Sequence, residues 1–138
     1  MTLEDCECIF ETFRRGLEFD EPIPPFKDRF EGRLESILGT ISQTYNQEYL
    51  NPTVLEAAAN YFNLLVRSQT FRNGNKRMAI LFTHVFLLRN GVDFTLSYKE
   101  MYNFAVIIAK ASEQKILMAD TKNLCQKIIS DFTTDRVN

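Results

Sequence analysis

The run Gln69-Thr70-Phe71-Arg72-Asn73-Gly74-Asn75-Lys76-Arg77 holds the residues whose types and spacing could do chemistry. Asn73-Gly74 is a turn pair, because glycine takes positive φ without a Cβ clash. Met78 to Leu88 then runs apolar almost all round, which as a helix must be central and buried. The run closes on Arg89-Asn90-Gly91, a basic last residue followed by stop residues that tolerate the left-handed region. The turn therefore sits at the N-terminus of a buried helix. Unpaired N–H groups and the positive dipole end there favour an anion. Lys76 and Arg77 lie at the wrong end for cations by dipole logic alone, so a negative group is expected to offset them. Between Ala57 and Val92 there is no Asp or Glu, while Arg67, Arg72, Lys76, Arg77 and Arg89 are all basic. In a chain of net charge −2 this concentration of positive charge reads as a phosphate-binding site.

The elements that position this run are legible as helices. Thr2-Leu3-Glu4-Asp5 resembles a capping box and opens a helix to about Arg15, with Gly16 as its stop. Pro22, Pro24 and Pro25 make 17–26 an extended connection. Phe30, Leu34, Ile37, Leu38 and Ile41 restore helical spacing. The polar stretch 43–51, with Tyr45, Asn46, Tyr49 and Leu50, reads as a short hairpin or loop. Asn51-Pro52 predicts the next helix start, with Val54 to Val66 as its apolar face. Val92 to Leu96 is a short extended piece, and Ser97-Tyr98-Lys99-Glu100 is a second capping box. Between Ser112 and Ala119 the pattern is ambiguous. Asp120 is expected to cap a last helix, followed by a frayed polar tail. The expectation is an all-α single domain over 1–138: a bundle around a central helix at about 75–90, with a minor β-hairpin at about 43–51.

These residues carry a resemblance. The run 69–77 resembles the signature loop of the Fic/Doc (Fido) family, His-x-Phe-x-Asp/Glu-Gly/Ala-Asn-Gly/Lys-Arg, and its Asn-Lys-Arg ending resembles the Doc (death-on-curing) branch. The match extends to Arg33-Leu34-Glu35-Ser36-Ile37-Leu38, the hairpin, Asn51-Pro52, Glu56-Ala57-Ala58 and Asn90-Gly91. Two positions depart: Gln69 stands at the catalytic His position and Asn73 at the acidic, metal-holding one. Ile80 stands where the longer Fic pattern has a second Arg.

The resemblance implies transfer of phosphate or a nucleotide monophosphate from ATP or another nucleoside triphosphate, with Mg²⁺, to a Ser, Thr or Tyr hydroxyl of a protein. By position, Gly74, Asn75 and Lys76 would offer N–H groups to the phosphates, and Lys76 and Arg77 would neutralise their charge. Phe71 would anchor the loop to the core. Tyr45, Asn46 and Tyr49 would form a flap that pairs with an extended target segment. A small antitoxin-like inhibitor is the implied partner, because the family's self-inhibition motif Ser/Thr-x-x-x-Glu-Gly/Asn does not occur in this chain.

Gln69 can orient a hydroxyl by hydrogen bonding but cannot accept its proton, and loss of a general base costs about 10²–10⁴-fold in rate. Asn73 is a neutral oxygen ligand, so Mg²⁺ should be held less firmly than by Asp. His84 lies about 13 Å along the helix from Asn75, too far to replace the base. As a lone His in an apolar helix it reads as a hydrogen-bonded core residue. Gln69 is then a natural divergence, an engineered inactivation, or a sign that another residue is the base. The alternative to a weakened transferase is an inactive Fido-fold interaction or regulatory module.

Composition narrows the classes further. Apolar content of 45% and charged content of 25% are ordinary for a globular chain. No apolar run reaches membrane-spanning length, and the acidic N-terminus is unlike a signal peptide. Cys6, Cys8 and Cys125 form no disulfide framework, which suits a reducing, cytoplasmic setting. Cys6 and Cys8 lie about 200° apart on a helix, so they do not read as a metal pair. A helix-turn-helix reading fails, because 75–88 is too apolar to expose a reading face and the pI is near 5.5.

Overall fold

The computed structural model describes residues 1–16, 25–42, 44–45, 48–49, 53–71 and 74–135. Six α-helices carry the chain through these residues: α1 (Leu3–Gly16), α2 (Arg33–Ser42), α3 (Val54–Arg67), α4 (Asn75–Arg89), α5 (Tyr98–Glu113) and α6 (Met118–Asp131). A short 3-10 turn, Phe26–Asp28, precedes α2. The expected hairpin is present as β1 (Thr44–Tyr45) and β2 (Glu48–Tyr49), with Thr44 opposite Tyr49 and Tyr45 opposite Glu48. The fold is the all-helical bundle expected.

Local chemistry explains most boundaries. Thr2 and Asp5 exchange hydrogen bonds at the start of α1, at 3.0 and 3.1 Å. Ser97 and Glu100 do the same for α5. Each exchange satisfies donors that a helix start leaves open.

Two predicted caps are corrected. The N-cap of α3 is Thr53, whose hydroxyl accepts from the Glu56 N–H; Asn51 and Pro52 lie outside the described residues. Asp120 does not cap α6 but stands in its first turn, after Leu117. There the chain leaves α5 through Lys115 at φ +59 and runs extended, so the helix starts before the carboxylate arrives.

The predicted central helix shares its place. α3 packs against α2, α4, α5 and α6, while α4 packs against α1, α3, α5 and β3 (Val92–Phe94). Met78, Ala79, Ile80, Phe82, Thr83 and Leu87 of α4 are buried. His84, expected in the core, is instead exposed, its ring 6.4 Å from that of Phe94. The ring beside it comes from β3, and the contact leaves the imidazole exposed.

The polar tail is not frayed throughout. Thr133–Asp135 forms β4, antiparallel to β3, with Val92 opposite Asp135. The Thr95 N–H and hydroxyl both donate to Phe132 O at 2.7 Å. No helix among the described residues is long and apolar enough to cross a membrane.

Cys6 and Cys125 are buried and Cys8 is exposed, as the helical angle between the first two required. Burial pushes the Cys6 and Cys125 thiols up to about 12. The thiolate is the reactive form. Iodoacetamide at pH 8 is therefore expected to label the native chain once, at Cys8, and the denatured chain at all of Cys6, Cys8 and Cys125. Intact-mass spectrometry and peptide mapping check this.

Candidate functional site

The loop between α3 and α4 is built around Phe71. Its ring stacks on Phe10 at 4.8 Å and lies 6.1 Å from Phe26 and 6.0 Å from Phe82. α1, the 3-10 turn and α4 thus each contribute a ring to hold it, and only 2% of it is exposed. Phe71, expected to anchor the loop, has its ring in the core.

The next grip comes from Asn75. Its Oδ1 accepts from the Phe71 N–H at 2.8 Å, and its Nδ2 donates to Phe71 O at 2.7 Å. This two-way amide clamp closes the turn like a strand pair. Both ends of the side chain are engaged on the loop. Gly74 follows the turn at φ +78 and caps α4 without a side chain. A residue with a Cβ would be strained at that angle, which accounts for the glycine.

Gln69 is the second unusual backbone. It takes φ +46, one of two positive values among the described non-glycine residues. The Gln69 side chain is exposed, whereas neighbouring Thr70 is fully buried. A β-branched residue is a genuine outlier at such an angle, while Asn is enriched there. Gln69→Val is expected to lower unfolding stability by about 1 kcal/mol, and Gln69→Asn to leave it level. Urea titration of both variants reads this directly.

A cavity of about 610 Å³ opens over the loop, walled by Phe30, Arg67, Gln69, Phe71, Gly74, Asn75 and Lys76, with Ala109, Ser112 and Glu113 of α5 opposite. Of the positions predicted from sequence, Gln69, Phe71, Gly74, Asn75 and Lys76 are brought together here. Arg77 is not. It does not line the cavity and instead reaches the Tyr98 hydroxyl, where it opposes the rise that burial gives the phenol. A helical residue next to Lys76 points about 100° away around the axis, so the first turn cannot aim both cations at one cavity. Asn73, Arg72 and Asn46 lie outside the described residues, as do the side chains of Tyr45 and Tyr49.

The basic residues counted from sequence divide by task. Arg67 lines the cavity, but its Nη1 donates to Thr121 Oγ1 at 3.0 Å and its Nη2 to Ile116 O at 2.7 Å, tying α3 to the start of α6. Arg89 lies at the far end of α4 and pairs with Asp5 at 3.0 Å. It holds the Asp5 carboxyl below its ordinary range only after the Thr2 N–H, the larger cause. Positive charge at the cavity is thus Arg67 and Lys76 among the described residues.

Two features escaped sequence reasoning. Arg33 of α2 donates to Ser68 O at 3.1 Å and to Gln69 O at 3.0 Å, across 35 and 36 residues. Glu113 brings a carboxylate to the cavity wall from the end of α5. No periodicity links such distant positions.

The described residues contain no group of three or more His, Cys, Asp or Glu able to hold a metal ion. Glu113 is the one carboxylate on the described wall, too few for a caged metal ion.

These observations define a class: a helical domain whose glycine-turned helix N-terminus opens into a cavity lined by Arg67, Lys76 and Glu113. The Fic/DOC family model matches residues 8–87, more than half of the chain and the whole of this loop. The chain belongs to the Fic/DOC family. Comparison with curated proteins finds no sequence match.

Proposed function

We propose that this chain is a Doc-like, toxin-type transferase that moves phosphate or a nucleotide monophosphate from a nucleoside triphosphate to a protein hydroxyl, with turnover held down by Gln69. The observation that carries the reading is the N-terminus of α4. Gly74 caps it with no side chain, Asn75 is turned back onto the loop, and Lys76 faces the cavity. In this reading the N–H groups of Asn75 and Lys76 and the Lys76 ammonium would meet phosphate oxygens.

The chemistry follows from the groups present. The target hydroxyl oxygen forms a bond to phosphorus as the bond to the leaving phosphate oxygen breaks. Lys76 and the N–H groups of the first turn balance the charge that develops there. Gln69, on the cavity wall, hydrogen-bonds the hydroxyl and orients it. Its amide takes no proton, so the proton leaves to water, and the step is slow. When bound, Mg²⁺ supplies charge neutralisation on the phosphates. The hairpin β1–β2 is the segment on which an extended target strand would add. A small antitoxin-like protein is the proposed regulator.

The test uses ATP labelled at the α- or the γ-phosphate, in cell lysate, with this chain and its Gln69→His variant. Protein labelling by the variant supports the reading, and the label that transfers names the group moved. No labelling by either, together with no nucleotide binding, would overturn it in favour of an inactive interaction module.

A further inference from the structure

One end of α2 grips the signature loop by consecutive carbonyls. Arg33 Nη1 bridges Ser68 O and Gln69 O, and the Phe30 N–H donates to Thr70 O at 3.0 Å. The guanidinium lies over the Phe30 ring, 4.5 Å from its centroid, so the two grips are one unit. Arg33 has no carboxylate partner among the described residues, and its charge is directed at carbonyl dipoles. The gripped backbone is the one that turns through φ +46 at Gln69. A non-glycine residue stays in that region only where its surroundings over-determine it.

We propose that Arg33 is the positioning residue of the loop. Its bridge fixes the backbone at residue 69, and with it the angle at which that side chain meets the hydroxyl being modified. The second half of this statement rests on the transferase reading; the first does not. Arg33 acts through the backbone and touches no reacting atom. α2 ends at Ser42 and β1 opens at Thr44, so the same residue ties the loop to the segment that carries the hairpin.

The experiment uses the full chain with Arg33→Met and Arg33→Lys, the latter keeping a charged donor. Amide hydrogen exchange is followed at Phe30 and Phe71, with Phe62 and Leu65 in the core as internal references. Arg33→Met is expected to speed exchange at Phe30 and Phe71 on the order of 10-fold, with the references unchanged and Arg33→Lys in between. In a Gln69→His background, Arg33→Met is expected to lower kcat about 10²-fold with the KM for ATP nearly constant, and Arg33→Lys to recover part of it. Unchanged exchange at both amides would overturn the proposal. So would loosened exchange with undiminished kcat. If Arg33→Met fails to fold, the same comparison is made between Arg33→Lys and the parent. The exchange arm needs no nucleotide, so an inactive Gln69→His chain would count against the transferase reading and leave the grip to be decided by exchange.

Discussion

Gln69→His is expected to raise protein labelling from ATP by about 10²–10⁴-fold, the range a positioned general base contributes. The backbone accepts the change. Residue 69 sits at φ +46, a region in which His is several-fold enriched, so the imidazole enters without new strain. It also enters at the cavity wall, which Gly74 and Lys76 share. The gained activity should carry its own pH signature. Only the neutral imidazole accepts a proton, so the rate of the variant should climb as pH rises through about 6.5, the ordinary His value. The parent, with no titrating group at that position, should lack this step. Initial rates from pH 5.5 to 8.5 separate the two. A gain without the step would mean that the introduced imidazole acts by shape, and that the proton goes elsewhere.

The second large effect is on stability. Phe71→Ala is expected to cost about 3–5 kcal/mol, the usual range for deleting a buried ring. The ring touches Phe10, Phe26 and Phe82, three separate elements that cannot all move to fill the space. Since a domain is stable by only about 5–15 kcal/mol, this single truncation should consume much of the margin. Phe71→Leu keeps most of the volume and should cost under about 1.5 kcal/mol. Guanidinium titration of both variants is the measurement. Equal midpoints for Phe71→Ala and the parent would show that the ring is not holding the loop to the core.

What the sequence made legible was the part written at short range. Ser97 and Glu100 lie three apart and cap α5 as their spacing says. Leu34, Ile37 and Ile41 face inward as a helical period requires. Gly74 and Phe71 could be placed because their roles depend on residue type alone. Thr53 was passed over because Asn51-Pro52 made a stronger pattern two residues earlier, whereas the cap hydrogen bond to the Glu56 N–H is made by Thr53. β4 was illegible, since Thr133–Asp135 has no apolar alternation and is a strand only because Val92–Phe94 offers it an edge. Charge was the most misleading signal. Counting cations between Ala57 and Val92 grouped residues that the fold separates: Arg67 is held to Thr121 and Ile116 and Arg89 to Asp5. A cation's partner is a property of the folded chain, not of its neighbours in sequence.

The grip of α2 on the loop has a consequence for the order in which the molecule acquires its shape. The Arg33 contacts close a span of 35 and 36 residues, whereas the Asn75 clamp closes a span of 4. Short-range closures form early, and long ones must first offset the entropy of bringing distant segments together. The loop can therefore bend around Asn75 while the chain is still immature, but residue 69 reaches its working turn only when α2 has docked. A chain still emerging from the ribosome, or one opened locally at α2, would hold the Asn75 turn without a correctly aimed residue 69. For a protein proposed to modify others in its own cell, competence would then arrive last, with the completed fold.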